Sequence, residues 1–257
     1  MIKTLSSNHL VTGVNYYAEG IHLLWRKELR LYIIAPLVIN IVIFISLTST
    51  LFHYFNAGME WMLNWVPSFL HFLKWLMWIL VGAILLLFYG YIFNAITNIV
   101  ASPFYGLLAQ KTEELVTGKP LPDEPLSALI PRVIAREIHK LIYFIGRGIF
   151  VFFVLLLLGL VGITSPLVPV VAALWGAWCM AVQYVDYPCD NNQLAFAPMR
   201  KRLRANIYSS TGFGGMVMLA SMIPIINIFA MPAAVTGGTA FWIKELKWQQ
   251  SNNQIIK

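Results

Sequence analysis

The stretch that decides the fold is residues 31–52, LYIIAPLVINIVIFISLTSTLF, which carries no charged side chain. Its 22 residues allow a helix to cross a hydrocarbon core of about 30 Å at about 1.5 Å per residue. A second uncharged stretch, residues 75–101 (WLMWILVGAILLLFYGYIFNAITNIVA), has 27 residues, so a helix there crosses with a tilt or extends beyond the bilayer. The sequence therefore predicts two long transmembrane helices.

The composition of the whole chain agrees with a membrane protein. Of its 257 residues, 59% are hydrophobic and 11% are charged, whereas a soluble domain has about 45–50% apolar and about 25% charged residues. The high hydrophobicity also excludes a disordered chain, and the long helix-compatible runs argue against an outer-membrane barrel. We therefore expect an all-α integral membrane protein with a single membrane domain over residues 1–257.

The segment between the two helices, residues 53–74, is rich in tryptophan and contains one basic residue, Lys74. Tryptophan prefers the membrane–water boundary because its ring is apolar and its N–H needs a polar partner. The pattern favours an interfacial loop on the outer side of the membrane. A substrate vestibule is the alternative.

Two later regions predict helical hairpins. Residues 148–185 are 38 uncharged residues broken by glycine, serine and proline turn signals, and the first arm, 149–161, is too short to span. Residues 205–243 repeat the pattern, with Pro224 and Pro232 near the middle. We expect both regions to enter the membrane part-way from one side. The alternative is four complete spans there, which gives six in total.

Residues 127–147 have the pattern of an amphipathic helix. Isoleucine and leucine recur every three or four residues, while Arg132, Arg136 and Lys140 lie on another side. We expect this helix to lie on the cytoplasmic surface of the membrane. Its cations contact lipid head groups or line a path for an anion, and the sequence leaves both alternatives open.

Lys and Arg outnumber Asp and Glu by 18 to 11, which gives a formal net charge of +7. If the two long helices form one hairpin and the other regions return to their side of entry, every Lys and Arg except Lys74 lies on the same side. Such asymmetry is typical of a cytoplasmic face. We therefore predict a multi-pass protein with both termini cytoplasmic, without a signal peptide and without a nucleic-acid-binding module.

Patterns that would support catalysis are missing from the sequence. It has no nucleophile elbow, metalloprotease helix or phosphate-binding loop, and its 5 histidines are isolated. Cys179 and Cys189 belong to no metal-binding pattern. Asp186 and Asp190 are interpreted as structural caps at a membrane boundary rather than as an acid–base pair. We therefore expect no enzyme activity, no metal and no cofactor.

The segment ASPFYGLLAQK, residues 101–111, follows the second transmembrane helix directly. Ser102 followed by Pro103 predicts the cap and first position of a new helix, and the exposed N–H groups of a helix start attract an anion. Arg26 and Lys27, just before the first transmembrane helix, are the cationic partners that we expect at the same level. The alternative is an ordinary capped helix start without a ligand.

Several segments, in order, resemble the CysZ-type sulfate transporters of the bacterial inner membrane. They are NYYAEGIHLL, IAPLVIN, ASPFYGLLAQK, QYVDYPCDN (183–191), FAPMRKRLR (196–204) and MIPIINIFAMPAAVTGGTAFW (222–242). The resemblance covers nearly the whole chain. It implies uptake of sulfate for assimilation into cysteine. It also implies two long membrane helices and two pairs of partly inserted helices, assembled as a homo-oligomer.

In this family a glycine–leucine–leucine–alanine–acid stretch is associated with sulfate. The resemblance therefore implies a sulfate site at Gly106, Leu107, Leu108, Ala109 and Gln110. Gln110 stands where the acid is usual, and a neutral amide repels a dianion less than a carboxylate does. Arg26 and Lys27 join this site on their charge and placement alone.

The leading hypothesis is a sulfate permease with no chemical step, whose partners are sulfate, membrane lipid and further copies of the chain. Arg147, just before residues 148–185, is a second relay point for the anion or a side chain that reaches lipid head groups. The alternative function is a non-transporting regulatory or scaffolding subunit, because the two clear spans lack the ionisable groups of most ion paths. A membrane enzyme is the third hypothesis.

Overall fold

The computed structural model describes residues 8–64, 74–122 and 124–247, and across them the regular structure is helical without β-strands. Within these ranges the α-helices are α1 (Leu10–Leu24), α2 (Arg30–Asn64), α3 (Lys74–Thr117), α4 (Leu126–Leu160), α5 (Leu167–Asn191), α6 (Phe196–Ala205), α7 (Ile207–Ser221) and α8 (Pro224–Phe241). Four segments are long and apolar enough to cross a membrane: Lys27–Phe55, Trp78–Thr117, Ser127–Leu160 and Leu167–Asn191. The prediction of an all-α membrane protein is confirmed.

The two long helices extend well beyond their uncharged stretches. Helix α2 continues past residue 52 to Asn64, so the predicted interfacial loop is wrong for residues 53–64, which are helical. Residues 65–73 of that predicted loop lie outside the described part of the chain. Helix α3 continues past residue 101 to Thr117. The end of each uncharged stretch is therefore not the end of the helix.

The predicted surface helix and the first arm of the third region are one helix. Helix α4 is 35 residues long and runs through both segments without a break. The boundary predicted at residue 147 is wrong because the apolar stretch simply continues the same helical hydrogen bonding. The turn then follows at residues 161–166, where Gly162–Thr164 form a 3₁₀ turn and the Thr164 hydroxyl donates to the Leu158 carbonyl at 2.7 Å.

The fourth region is also a helix–turn–helix. Helix α7 has 15 residues and α8 has 18, and Pro224 is the first residue of α8. At about 1.5 Å per residue, α7 spans about 22 Å, which is less than a hydrocarbon core of about 30 Å. Pro232 lies inside α8 and does not end it, and a π-helical segment, Trp242–Leu246, continues directly from α8. The length of α7 favours the part-way hairpin over two complete spans in this region.

The chain divides into two compact units. Pro36–Ala101 form one unit, and Met1–Ala35 with Ser102–Lys257 form the other. In the first unit the rings of Phe44 and Phe93 lie 5.9 Å apart, and the Thr48 and Tyr89 hydroxyls are 2.7 Å apart. Many of its apolar side chains are exposed, as membrane-facing residues are. The single membrane domain over residues 1–257 stays a prediction.

The second unit has a core of closely packed helices, in which α1, α5, α7 and α8 contact one another. Small residues permit this packing. A Cβ on Gly20 of α1 would overlap the Ala233 carbonyl oxygen of α8, and a Cβ on Gly214 of α7 would overlap the Ala177 carbonyl oxygen of α5. The backbones therefore approach each other directly at these two positions. Against this core lie α4 and residues 102–117 of α3, which carry the candidate site.

Candidate functional site

The predicted helix start at Ser102 and Pro103 is wrong. Both residues lie inside α3, and Ser102 is fully buried. The preceding residues are already helical, so the N–H groups that follow Pro103 bond within the helix and are not open to an anion. A proline inside a membrane helix is tolerated because neighbouring groups satisfy the backbone that it disrupts. The local cap pattern therefore does not create a helix N-terminus here.

The five residues that resemble the sulfate-associated stretch form a packed turn of α3. Gly106, Leu108 and Ala109 are buried, while Leu107 and Gln110 are partly exposed. The Asn191 side-chain amide of α5 donates to the Gly106 carbonyl at 2.7 Å. A Cβ on Gly106 would lie 3.8 Å from its nearest neighbours, an ordinary contact distance. Packing alone therefore does not require glycine at this position.

Further polar contacts hold the same turn in place. Glu113 is almost fully buried and accepts hydrogen bonds from Asn192 at 2.8 Å and from Lys247 at 2.6 Å. The rings of Tyr105 and Tyr187 lie 5.7 Å apart. The end of α5 and the end of the chain's described part thus meet residues 105–113 of α3. This arrangement fixes the position of the turn against the core.

A ladder of ion pairs joins α4 to α5; we call it the charge ladder. It consists of Arg132, Arg136 and Lys140 on α4, which pair with Asp186 and Asp190 on α5. Arg136 holds Asp186 by two nitrogens, with Nη2 at 2.6 Å from Oδ1 and Nε at 3.0 Å from Oδ2. Each helix presents its charges every four residues, so they lie on one face and meet across the contact.

The charge ladder corrects two interpretations of the sequence. Asp186 and Asp190 are ion-pair partners rather than helix caps. The three cations face α5, and Lys140 is buried with Glu137 at 2.6 Å. Because carboxylates already neutralise these cations, they add little positive charge for a passing anion or for lipid head groups.

Arg26 and Lys27 lie in the short connection between α1 and α2. Both are exposed, and the neighbouring Leu29 is fully buried, which anchors the connection. Within the described ranges neither side chain forms an ion pair or a hydrogen bond, either with the Gly106 turn or elsewhere. They are accessible cations, and their part in a sulfate site stays a prediction.

Arg147 is exposed on α4 and lines an open surface groove of about 320 Å³. The other residues of the groove are Ile142, Tyr143, Gly146 and Phe150. The groove therefore combines one cation and one hydroxyl with an apolar surface. Its place on an anion path stays a prediction.

The sequence reasoning missed Glu113, Asn191 and Asn192 as parts of this arrangement. The four-residue spacing of Asp186 and Asp190 in QYVDYPCDN was the available signal, because it matches the spacing of the cations on α4. From the sequence, Asp186 and Asp190 of this segment were interpreted only as structural caps. In the structure its side chains connect α5 with α3 through hydrogen bonds and with α4 through ion pairs.

Comparison with known proteins places this arrangement in a family. The family model described as "Sulfate transporter CysZ/Etoposide-induced protein 2.4" matches residues 16–232, which include the Gly106 turn and the charge ladder. The chain belongs to this family. The resemblance found in the sequence is therefore confirmed, and it extends over both compact units.

Individual members of the CysZ family are similar along almost their whole length. A sulfate transporter CysZ of Vibrio parahaemolyticus is 37% identical over 247 residues, which cover 95% of this chain and 99% of the relative. A protein of the same name from Pseudomonas fluorescens is 38% identical over 92% of this chain and 94% of its own length. These relatives are named as transporters and not as enzymes, which supports the prediction that the chain is not an enzyme.

Proposed function

We propose that this chain is a sulfate permease of the bacterial inner membrane that imports sulfate for assimilation into cysteine. The observation that carries the proposal is the similarity to proteins named sulfate transporter CysZ along nearly the full length of both chains. The four helices that are long and apolar enough to cross a membrane suit a protein that moves a solute across one. No chemical step is required of such a protein.

The energetic problem is to bring a dianion out of water. A charged group in a medium of low polarity loses a large hydration energy, and cations and N–H donors offset the loss. We place the sulfate site at Gly106, Leu107, Leu108, Ala109 and Gln110, with Arg26 and Lys27 as its cations. Two features support this site: Arg26 and Lys27 are accessible, and the Gly106 stretch resembles the sulfate-associated stretch of the family. Because no helix begins at Ser102 or Pro103, the N–H groups there are not open to an anion. The two cations therefore supply most of the attraction for sulfate.

We further infer that both termini are cytoplasmic and that the chain acts as a homo-oligomer in which the hairpin of α7 and α8 is partly inserted, whereas α4 and α5 are each long enough to cross the membrane. The 15-residue α7 supports the shallow insertion. A turn at membrane depth must be shielded by protein or water, because lipid cannot satisfy its backbone groups. Further copies of the chain would provide that shield around the tips of the hairpins.

The decisive test is the uptake of radiolabelled sulfate into liposomes that contain only the purified chain. We expect saturable uptake above that of empty vesicles, measured with and without a proton gradient. A difference between the two conditions identifies proton coupling. No uptake by a monodisperse preparation would contradict the permease and favour the alternative, a non-transporting regulatory or scaffolding subunit.

Replacing Arg26 and Lys27 together by alanine will weaken sulfate binding by about tenfold or more, because hydrogen bonds to charged groups contribute about 1.5–3 kcal/mol. Equilibrium binding of radiolabelled sulfate to the purified protein measures the change. Lys119→Ala is the control, since it removes an exposed cation elsewhere in the same unit. Unchanged affinity in the double variant removes both residues from the site.

A further inference from the structure

Two arginines lie against a pair of hydrogen-bonded aromatic side chains where α4, α5 and α6 meet, and a third lies one helical turn further along α4. Trp178 donates its indole N–H to the Tyr143 hydroxyl at 3.0 Å. The Arg200 guanidinium lies 4.4 Å from the centre of the Tyr143 ring, and that of Arg204 lies 5.9 Å from the Trp178 ring. Arg147 shares its surface groove with Tyr143. We call these five residues the arginine–aromatic cluster.

The arginines of this cluster differ from the cations of the charge ladder, because no carboxylate of the described residues pairs with them. Within the described part of the chain, Arg147, Arg200 and Arg204 form no ion pair. The Arg200 Nε is buried and has no hydrogen-bond partner there. By contrast, the cations of the charge ladder all have acidic partners. The cluster is therefore a concentration of uncompensated positive charge.

Aromatic contacts also fix how the guanidinium of Arg200 is presented. It lies over the Tyr143 ring and is 4.7 Å from the centre of the Phe196 ring. A guanidinium on aromatic faces keeps its N–H donors at its edge, where they fit the oxygens of a tetrahedral oxyanion. A tetrahedral oxyanion, such as phosphate or sulfate, is therefore the ligand chemistry that this cluster fits.

The position of the cluster selects between the two sources of such an anion. Arg147 is the last charged residue before 38 uncharged residues, 148–185, so it marks a boundary between polar and apolar surface. On the same helix Ile142, Ile149 and Phe150 are exposed, as residues that contact lipid chains are. Ile142 and Phe150 line the same open groove as Arg147 and Tyr143. A free inorganic anion has no apolar part that could be buried in the groove. A phospholipid, by contrast, places its phosphate on the cations and an acyl chain along the groove.

We propose that the arginine–aromatic cluster is a binding site for the phosphate of an anionic phospholipid at the membrane boundary. This assignment replaces the anion path as the role of Arg147. Arg200 and Arg147 hold the phosphate oxygens, Arg204 adds positive charge, and Tyr143 joins the polar end of the groove to its apolar end. The site does not depend on sulfate transport and can be tested apart from it.

The test compares two charge-matched double variants of the full chain. Arg147→Gln with Arg200→Gln removes two cations from the cluster, and Lys119→Gln with Lys201→Gln removes two exposed cations outside it. Each protein is titrated with phosphatidylglycerol and with phosphatidylcholine in detergent, and bound lipid is counted by native mass spectrometry. We expect the cluster variant to lose about tenfold in affinity for phosphatidylglycerol, as loss of charge-assisted hydrogen bonds implies. The control variant keeps the wild-type affinity.

Two further measurements keep the result decisive. Arg200→Lys retains the charge but loses the flat guanidinium, so it tests the geometry in a protein whose net charge is unchanged. We expect it to bind phosphatidylglycerol more weakly than wild type. Equal phosphatidylglycerol affinity in wild type and the cluster variant would overturn the proposal. So would displacement of the lipid from wild type by millimolar sodium sulfate at constant ionic strength, because the site would then bind a free oxyanion.

Discussion

Asp186→Ala will destabilise the protein by about 3–5 kcal/mol, the usual cost of leaving a buried charge without its partner. Asp186 is 1% exposed in its side chain and holds Arg136 at 2.6 Å and Lys140 at 3.6 Å. Without the carboxylate, two cations remain between α4 and α5 with too little negative charge nearby. Equilibrium unfolding in mixed micelles, with sodium dodecyl sulfate as the denaturant, measures the loss.

The control for this prediction is Glu19→Ala. Glu19 forms an equally short ion pair with Lys244, at 2.6 Å, but the two side chains are 31% and 45% exposed. Water screens an exposed pair, so its removal costs less than about 1 kcal/mol. Similar losses in the two variants would contradict the view that burial gives the charge ladder its importance. Intact sulfate uptake by a destabilised Asp186 variant would show that the ladder supports the fold rather than the transport.

The class of the protein could be predicted from sequence because the membrane sets a minimum helix length. Residues 31–52 and 75–101 meet that minimum without a charge, and apolar stretches of this length indicate transmembrane helices. The ends of the helices could not be predicted in the same way. Helix α3 continues to Thr117 because its last turns pack on α5 and on Lys247, and a contact with a distant residue leaves no local mark.

The charge ladder shows a similar limit for the site. The spacing of Arg132 and Arg136 on α4, and of Asp186 and Asp190 on α5, was visible in the sequence. What was not visible is that the turn at residues 161–166 brings these faces together in register. From the sequence alone, the cations on α4 could therefore be assigned to lipid head groups or an anion path, and the carboxylates on α5 to helix caps. The partner of a charge is a property of packing, so it required the structure.

The pattern around Pro103 failed for a different physical reason. A serine followed by a proline is a common start of a helix in water, where the preceding residues are free to be irregular. Here the preceding residues are already helical, and Ala101 and Ser102 are fully buried, so an interruption would leave buried backbone groups without partners. The helix therefore continues through the proline. Local cap signals are weaker than this requirement wherever an apolar helix precedes them.

Gly214→Ala will destabilise the protein by about 3 kcal/mol, at the upper end of the usual cost of overpacking. The added Cβ would overlap the Ala177 carbonyl oxygen and lie 2.8 Å from the Ala181 nitrogen. These neighbours are backbone atoms of α5, so no side-chain rotation can relieve the overlap. Helices α5 and α7 must separate, which also loosens the contacts between α5 and α8. The same unfolding titration in mixed micelles measures the effect.

The adjacent residue provides a matched control in the same helix. A Cβ on Gly215 would lie 4.0 Å from the Ala177 side chain, an ordinary contact. Gly215→Ala is therefore expected to be neutral or to stabilise the protein by up to about 1 kcal/mol, because alanine favours a helix more than glycine does. If both variants lost the same stability, helix α7 would be sensitive to any added methyl group. A loss at Gly214 alone would identify the direct contact of the two backbones as the reason for glycine there.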